Sequence, residues 1–224
     1  MTEMLGQLAS NSELLLQGLQ ETLYMVLVSM MIAVFFGIPL GVGVVVTEPN
    51  GILEKKEINF ILGSIINVAR SIPFIILMVA IIPFTRLIVG TSIGTTAAIV
   101  PLAVAAIPFI GRIVENSLKE VDPGVVEAAQ AMGATPWEII TKVLIPEALP
   151  SLILGITLAL ISLIGYSAIV GAVGGGGLGD IAIRYGYQRF QGDVMLQTVV
   201  ILVVLVQLIQ SIGNWLSSKL NKAT

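Results

Sequence analysis

The stretch SLILGITLALISLIGYSAIV, from Ser151 to Val170, carries no charged side chain in 20 consecutive residues. A helix rises about 1.5 Å per residue, so roughly 20 apolar residues are what it takes to cross the hydrocarbon of a bilayer. The charge-free run extends on both sides, from Ala148 to Gly179, and three others match it at Thr22 to Thr47, Leu87 to Gly111 and Val194 to Ser218. A fifth, Ile58 to Phe84, is equally apolar but is interrupted by Arg70. The whole chain agrees: 56% of its 224 residues are hydrophobic and 11% charged, where soluble domains hold about 25% charged residues. The mean hydropathy is +0.99. This reading predicts an all-α integral membrane protein with five transmembrane helices, at about 22–46, 58–84, 93–113, 149–173 and 194–216. An external N-terminal segment, 1–21, precedes them, a tail, 217–224, follows, and a polar loop at about 114–148 joins the third span to the fourth.

Composition also excludes functions. A net charge of -3 leaves no basic surface for nucleic-acid phosphates, so nucleic acid is not an expected partner. The chain has no His and no Cys, which removes the commonest general base, the commonest metal ligand and every thiolate site. Glu3, Glu13 and Glu21 precede the first span and no Lys or Arg does, so nothing there resembles a secretory leader. Leu5, Leu8, Leu15 and Leu19 fall at near-helical spacing, which suits an interfacial helix over Met4 to Leu19 or a frayed polar-apolar leader.

Five spans put the termini on opposite faces. With the N-terminus outside and Arg70 set aside as membranous, the inside collects Lys55, Lys56, Arg112, Lys119, Lys142, Lys219 and Lys222, and the outside only Arg86, Arg184 and Arg189. Seven against three obeys the positive-inside bias, so the expected topology is N-outside and C-inside. No internal repeat is visible, so a symmetric pathway requires a second copy of the chain. Gly37 and Gly41 form a GxxxG pair, and Ala97, Ala98, Ala103, Ala105 and Ala106 follow in the third span; small residues of this kind allow close approach, within one subunit or between two. Pro39, Pro73, Pro83, Pro101 and Pro108 each remove a backbone hydrogen bond and tend to kink their helices.

The segment from Arg112 to Pro150 is rich in helix punctuation. Asp122 followed by Pro123 makes an N-cap and first-turn pair, with helical spacing through Val125, Ala128, Ala129 and Met132 until Gly133 stops it. Thr135 and Glu138 flank Pro136 and Trp137 at capping-box spacing. Pro146 is expected to end that second helix and Pro150 to precede the fourth span.

Within this segment, Glu127-Ala128-Ala129-Gln130-Ala131-Met132-Gly133 followed by Leu149-Pro150 resembles the EAA loop of binding-protein-dependent ABC importer permeases. The resemblance reaches most of the chain from Leu19 onward. Arg70-Ser71-Ile72-Pro73-Phe74, Gly90-Thr91-Ser92-Ile93-Gly94, Gly165-Tyr166-Ser167-Ala168 and Gly171 to Asp180 are similar to the methionine branch of that family. It implies an importer transmembrane domain over 22–216, in which the 114–148 loop folds into a cytoplasmic coupling helix that docks on an ATPase subunit. Glu127, Ala128, Ala129, Met132, Gly133, Thr135, Leu149 and Pro150 are the coupling residues expected on that basis. The expected partners are a second copy of the chain, two cytoplasmic ABC ATPase subunits that bind ATP and Mg, an extracytoplasmic methionine-binding protein and the lipid of a bacterial cytoplasmic membrane. The chain itself is expected to hold no cofactor and no metal.

The run Gly174 to Gly179 lacks the Lys-Ser or Lys-Thr of a phosphate loop. Falling outside, it is read as a flexible platform for the binding protein, formed by Gly175 and Gly176 with Arg184 and Tyr185 nearby, or as a merely pliable connection. Arg70 is the one charge well inside an apolar stretch, where a central position costs roughly 2.5–3.5 kcal/mol. It faces the pathway, pairs with a carboxylate, or snorkels to the inner interface. Tyr166 and Ser167 offer polar contacts to a passing zwitterion, and Ile169 and Val170 an apolar seal, or all four serve helix packing. A self-contained ion-coupled carrier is the second functional class, but Arg70 would be its sole midplane charge. An intramembrane enzyme lacks an acid-base constellation. The expectation is a noncatalytic permease for methionine, D- or L-, or for another small solute, driven by a separate ATPase.

Overall fold

The computed structural model describes the backbone of residues 2–221 and the side chains of residues 12–220. Among these there are helices and connecting turns and no strand. The elements are α1 (Thr2–Val46), α2 (Lys56–Ser71), α3 (Phe74–Ala80), α4 (Ile82–Val89), α5 (Thr95–Lys119), α6 (Pro123–Ala131), α7 (Pro136–Glu138), α8 (Ile145–Val170), α9 (Gly177–Ile181) and α10 (Gly192–Asn221). A π-helical turn joins α7 to α8 and another follows α9, while a kink at Val173 and Gly174 breaks the helix after α8.

Four helical stretches are long and apolar enough to cross a membrane: Ser12–Val46, Thr95–Lys119, Pro136–Gly175 and Gly192–Leu220. The pair α2 and α3 passes the same test together but is bent by 100°; taken as one broken span it brings the count to the five expected from charge-free stretches. The pair is not one helix. It breaks at Ile72–Pro73, where Ile72 is held extended at ψ 121°, because the ring of a following proline excludes the helical region for its predecessor. Pro39, Pro101 and Pro108, by contrast, lie within unbroken helix, and Pro83 occupies the first turn of α4, where its missing N–H costs nothing.

Three sequence expectations need correction. Pro146 does not end a helix: the chain is helical without interruption from Pro136 to Val170. The N–H of Ile145 bonds the carbonyl of Ile140, five residues back, and this widened turn just ahead of the proline lets the helix run on. At about 1.5 Å per residue a helix of this length exceeds the roughly 30 Å of hydrocarbon that one span needs. Secondly, the N-terminal segment is no separate interfacial helix but the start of α1. Leu15 is buried with Leu178, Ile181 and Val194, and Leu19 packs against the same cluster; the side chains of Leu5 and Leu8, and all of Lys222, lie outside the described residues. The glycine run, which is packed and not a loose platform, is the third.

The fold divides into two compact units. One comprises residues 1–31, 73–104 and 160–209 and is centred on Met25, Leu102, Leu163, Leu178 and Val194. The other comprises 32–72, 105–159 and 210–224 and is centred on Ile66, Ile110, Val114, Leu118 and Ile139. In this second unit the GxxxG pair meets α5 of the same chain: a Cβ on Gly37 would stand 2.7 Å from Ile110 Cβ, and one on Gly41 2.4 Å from the Gly111 carbonyl oxygen. Their smallness serves packing within the subunit. Gly213 meets Thr157 in the same way, and Ser217 Oγ donates to the Pro150 carbonyl at 3.0 Å. The apolar faces left outward, with Phe35, Phe60, Leu87, Leu196 and Leu208 all exposed, would be untenable in water and are at home in lipid.

Candidate functional site

The segment from Asp122 to Lys142 builds itself from local signals. Asp122 caps α6, its carboxylate accepting from the Gly124 N–H at 2.8 Å, and Pro123 fills the first turn. The helix ends where the Gly133 backbone turns left-handed at φ +82°. Thr135 then starts α7 with a complete capping box: the Glu138 carboxylate accepts from the Thr135 N–H at 3.1 Å and from its hydroxyl at 2.8 Å, while Thr135 Oγ1 accepts from the Glu138 N–H. Lys142, one turn on, donates to Glu138 at 2.9 Å.

This segment presents one side outward. Glu127, Ala128, Met132, Gly133 and Thr135 are exposed, and only Ala129 is buried. Met132 is 83% exposed and Trp137 71%. Trp137 has no sequence signal beyond its place inside the capping box, yet an exposed aromatic beside an exposed methionine is what a protein partner can grip. Leu149 and Pro150 sit further along the same rod, half-buried; they belong to its packed stem and are not part of the outward face. Beside α6, in the same unit, lies a groove of about 320 Å³ lined by Glu48, Gly51, Ile52, Lys119, Glu127 and Gln130. At its edge Lys119 bonds both Glu48 at 2.5 Å and Glu115 at 3.1 Å, and Arg112 holds the other Glu115 oxygen at 2.8 Å and reaches the Asn67 side chain. Glu115 is 5% exposed and thus needs both cations. Glu48 and Asn67 have no local sequence signal; Arg112, Glu115 and Lys119 stand at the i, i+3 and i, i+4 spacings that could have marked them.

The four residues of the fourth span do not share a face. Tyr166 and Ile169 are exposed, with Tyr166 stacked on Phe74 at 4.5 Å between ring centroids and 9° between planes. Ser167 and Val170 are buried, and the Ser167 hydroxyl is taken up by the Ile164 carbonyl at 2.7 Å. Arg70 is exposed at the C-terminal turn of α2, where the helix dipole favours a cation, and among the described residues no carboxylate pairs with it.

The glycine run is not a flexible surface loop. Gly171, Gly175, Gly177 and Gly179 are buried, and a Cβ on Gly179 would fall 2.4 Å from Ala168 Cα. Gly174, Gly176 and Gly177 all have φ between 79° and 93°, open to glycine at little cost. Residues of α1 clasp the run: Glu21 accepts from the Gly177 N–H at 2.7 Å and Thr22 Oγ1 from the Leu178 N–H at 2.9 Å. The Gly174 carbonyl accepts from the Gly94 N–H at 2.9 Å, tying in the Gly90–Gly94 turn. Of the residues read as a platform, Gly175 is buried and Gly176 half-buried against Glu21, whereas Arg184 is exposed and Tyr185 half-buried. Arg184 bonds Asp180, which pushes its guanidinium still higher than usual, and Arg184 and Arg189 both lie over the Tyr185 ring. Among the described residues no group of three or more acidic side chains is placed to hold a metal ion.

Comparison with known proteins agrees with this architecture. The family described as binding-protein-dependent transport system inner membrane component matches residues 34–222. The Vibrio cholerae protein named "Probable D-methionine transport system permease protein MetI" is 57% identical over 206 residues, covering 92% of each chain. The D-methionine transport system permease protein MetI of Escherichia coli K12 is 54% identical over 158 residues, 70% of this chain and 73% of that one. Among solved structures, a chain of the MetNI methionine ABC transporter in its inward-facing conformations superposes with a TM-score of 0.90 at 52% identity, over 92% of this chain and 96% of that one. A chain of an amino acid ABC transporter shares the fold at a TM-score of 0.78 and 22% identity. With most of its length matched by the family and by relatives of more than half identity, this chain belongs to the inner membrane components of binding-protein-dependent transport systems.

Proposed function

We propose that this chain is the permease subunit of an ATP-driven importer that carries methionine, as the D- or L-form or both, across a bacterial inner membrane. The observation that carries the reading is its 57% identity, over 92% of both chains, to a D-methionine permease. Two copies form the pathway, a separate ATPase lies on the side that bears the coupling segment, and an extracytoplasmic binding protein delivers the solute. The chain is noncatalytic; ATP and Mg belong to the partner. The N-terminus is outside and the C-terminus inside, as the seven-to-three distribution of Lys and Arg supports.

The mechanism asks two things of this chain. The outward side of α6 and α7, with Glu127, Ala128, Met132, Gly133 and Trp137, is the surface on which the ATPase pulls or pushes. A change of nucleotide state then shifts the spans between inward-open and outward-open forms to the extent that the ATPase and the loaded binding protein prefer one form over the other. Differential affinity supplies the switching energy, and the permease needs only to have two conformations of similar free energy.

Competition uptake in proteoliposomes containing the complete transporter tests the substrate: methionine enantiomers are expected to suppress labelled methionine uptake, and equal suppression by unrelated amino acids would defeat the assignment. Glu127→Arg is expected to leave membrane insertion intact and abolish solute-stimulated ATP hydrolysis. Normal stimulation in that variant would remove the docking role of α6.

A further inference from the structure

The turn between α1 and α2 is more tightly built than a connection of nine residues needs. The Gly51 N–H bonds the Glu48 carbonyl at 2.8 Å, the Leu53 N–H the Val46 carbonyl at 2.8 Å, and the Lys55 N–H the Thr47 carbonyl at 3.1 Å. Glu54 accepts from the Asn50 N–H at 3.1 Å, and Asn50 is held left-handed at φ 63°. Asn59 of α2 donates to the Val44 carbonyl of α1 at 2.7 Å, closing the turn at its base. Gly51 admits no side chain, since a Cβ would meet the Val46 and Glu48 carbonyl oxygens at 2.9 Å. A segment with this many internal bonds moves as a block.

That block forms one wall of the groove whose other wall is α6. Its bond to the root of α6 is the Glu48–Lys119 pair, because Lys119 is the last residue of α5 and stands four residues before Pro123. Lys119 also bonds the buried Glu115, and Arg112 carries the chain of contacts from Glu115 to Asn67 on α2. The root of the coupling helix is thus tied by an ion pair to the turn itself and, through Glu115 and Arg112, by a hydrogen bond to α2.

We propose that the α1–α2 turn is a strut for coupling, with Glu48 and Lys119 as positioning residues that carry a displacement of α6 into α1 and α2. The proposal rests on the reading of α6 as the ATPase contact. A partly exposed ion pair does little for stability, so its role is read in transmission and not in folding. Losing it leaves the ATPase bound and turning over while less of each cycle reaches the spans.

The measurement is methionine taken up per ATP hydrolysed, in proteoliposomes holding permease, ATPase and binding protein, with ATPase copurified per permease as the check on assembly. Glu48→Gln is expected to lower uptake per ATP about threefold to fivefold with assembly unchanged. Lys119→Met removes both bonds and lowers it further, and adding Glu48→Gln to Lys119→Met changes nothing more. Unaltered uptake per ATP in Glu48→Gln overturns the strut, as does a double variant whose loss is the product of the two single losses. Should Lys119→Met fail to assemble, Glu48→Gln alone decides. Gly133→Trp, run in parallel, separates the two readings: if it stays fully coupled, α6 is not the contact and the strut falls with it, whereas a coupled Glu48→Gln beside an uncoupled Gly133→Trp removes the strut alone.

Discussion

The hairpin around Gly133 and the run from Gly171 to Gly179 both depend on glycine, for opposite reasons. A Cβ on Gly133 would meet nothing within 4 Å, so the position demands only its left-handed φ of +82°. A Cβ on Gly171 would lie 2.6 Å from the Asp180 nitrogen, and one on Gly179 2.6 Å from the Ala168 carbonyl oxygen. There the demand is for space, and the obstacles are backbone atoms that cannot swing aside. The first region is held by caps within three or four residues and faces outward; the second is held by packing and by bonds from residues 156 positions away in sequence. A surface built from local bonds can be altered without disturbing the rest of the molecule, and a buried crossing cannot.

Gly179→Ala is the strongest way to break this contrast. The added methyl has no flexible neighbour to displace, so a loss of about 3 kcal/mol is expected. Thermal unfolding of the detergent-purified transporter and the yield of assembled permease read it; wild-type values in both would mean that the run is pliable after all. Glu21→Ala comes next. It leaves the Gly177 N–H without its charged acceptor, for which about 2 kcal/mol is the expected loss, and Glu21→Gln, which keeps an acceptor in place, should lose less. Equal destabilisation by Ala and Gln in the same unfolding assay would mean that the acceptor oxygen does nothing there.

What could be read from sequence follows the same division. Charge-free stretches revealed the spans because the bilayer imposes a length on each. Asp122 and Thr135 were legible as caps because a cap involves only its own next three residues. Glu21 and Thr22 were not, since nothing near them names Gly177 and Leu178 as partners. The one clue was energetic: a carboxylate at the edge of an apolar span needs something to bond. Pro146 misled because a π-helical turn has no sequence signature as firm as that of a proline. Arg70 stands out as a charge in an apolar stretch, but the break at Pro73 that makes its position the end of a helix follows from a constraint on the preceding residue, Ile72, which hydropathy does not register. The surface residue that composition hid was Trp137, read only as an interior position of a capping box.

Gly133→Ala sharpens the comparison from the other side. With open space around the site the cost is the left-handed conformation alone, about 1 kcal/mol, and it falls on the hairpin only. Unfolding of the transporter should match wild type while solute-stimulated ATP hydrolysis declines modestly. A drop in thermal stability as large as that of Gly179→Ala would show that the hairpin is packed and not merely turned.

The smallest expected effect belongs to Thr135→Ala. This change removes the hydroxyl that accepts from the Glu138 N–H and donates to its carboxylate, but the Thr135 N–H still reaches Glu138 at 3.1 Å and Lys142 still holds the carboxylate at 2.9 Å. Half of the capping box therefore survives, and the start of α7 should fray without melting. Hydrogen exchange of the amides from Trp137 to Ile139 is expected to quicken about twofold to fivefold, with no change in the amides of α8 beyond Leu149. Thr135→Ser should restore wild-type exchange, because it replaces the oxygen and omits only the methyl. If exchange instead quickened all along the helix from Pro136 to Val170, the cap would be governing the whole helix, and the boundary between a locally held surface and a packed interior would have to be moved inward.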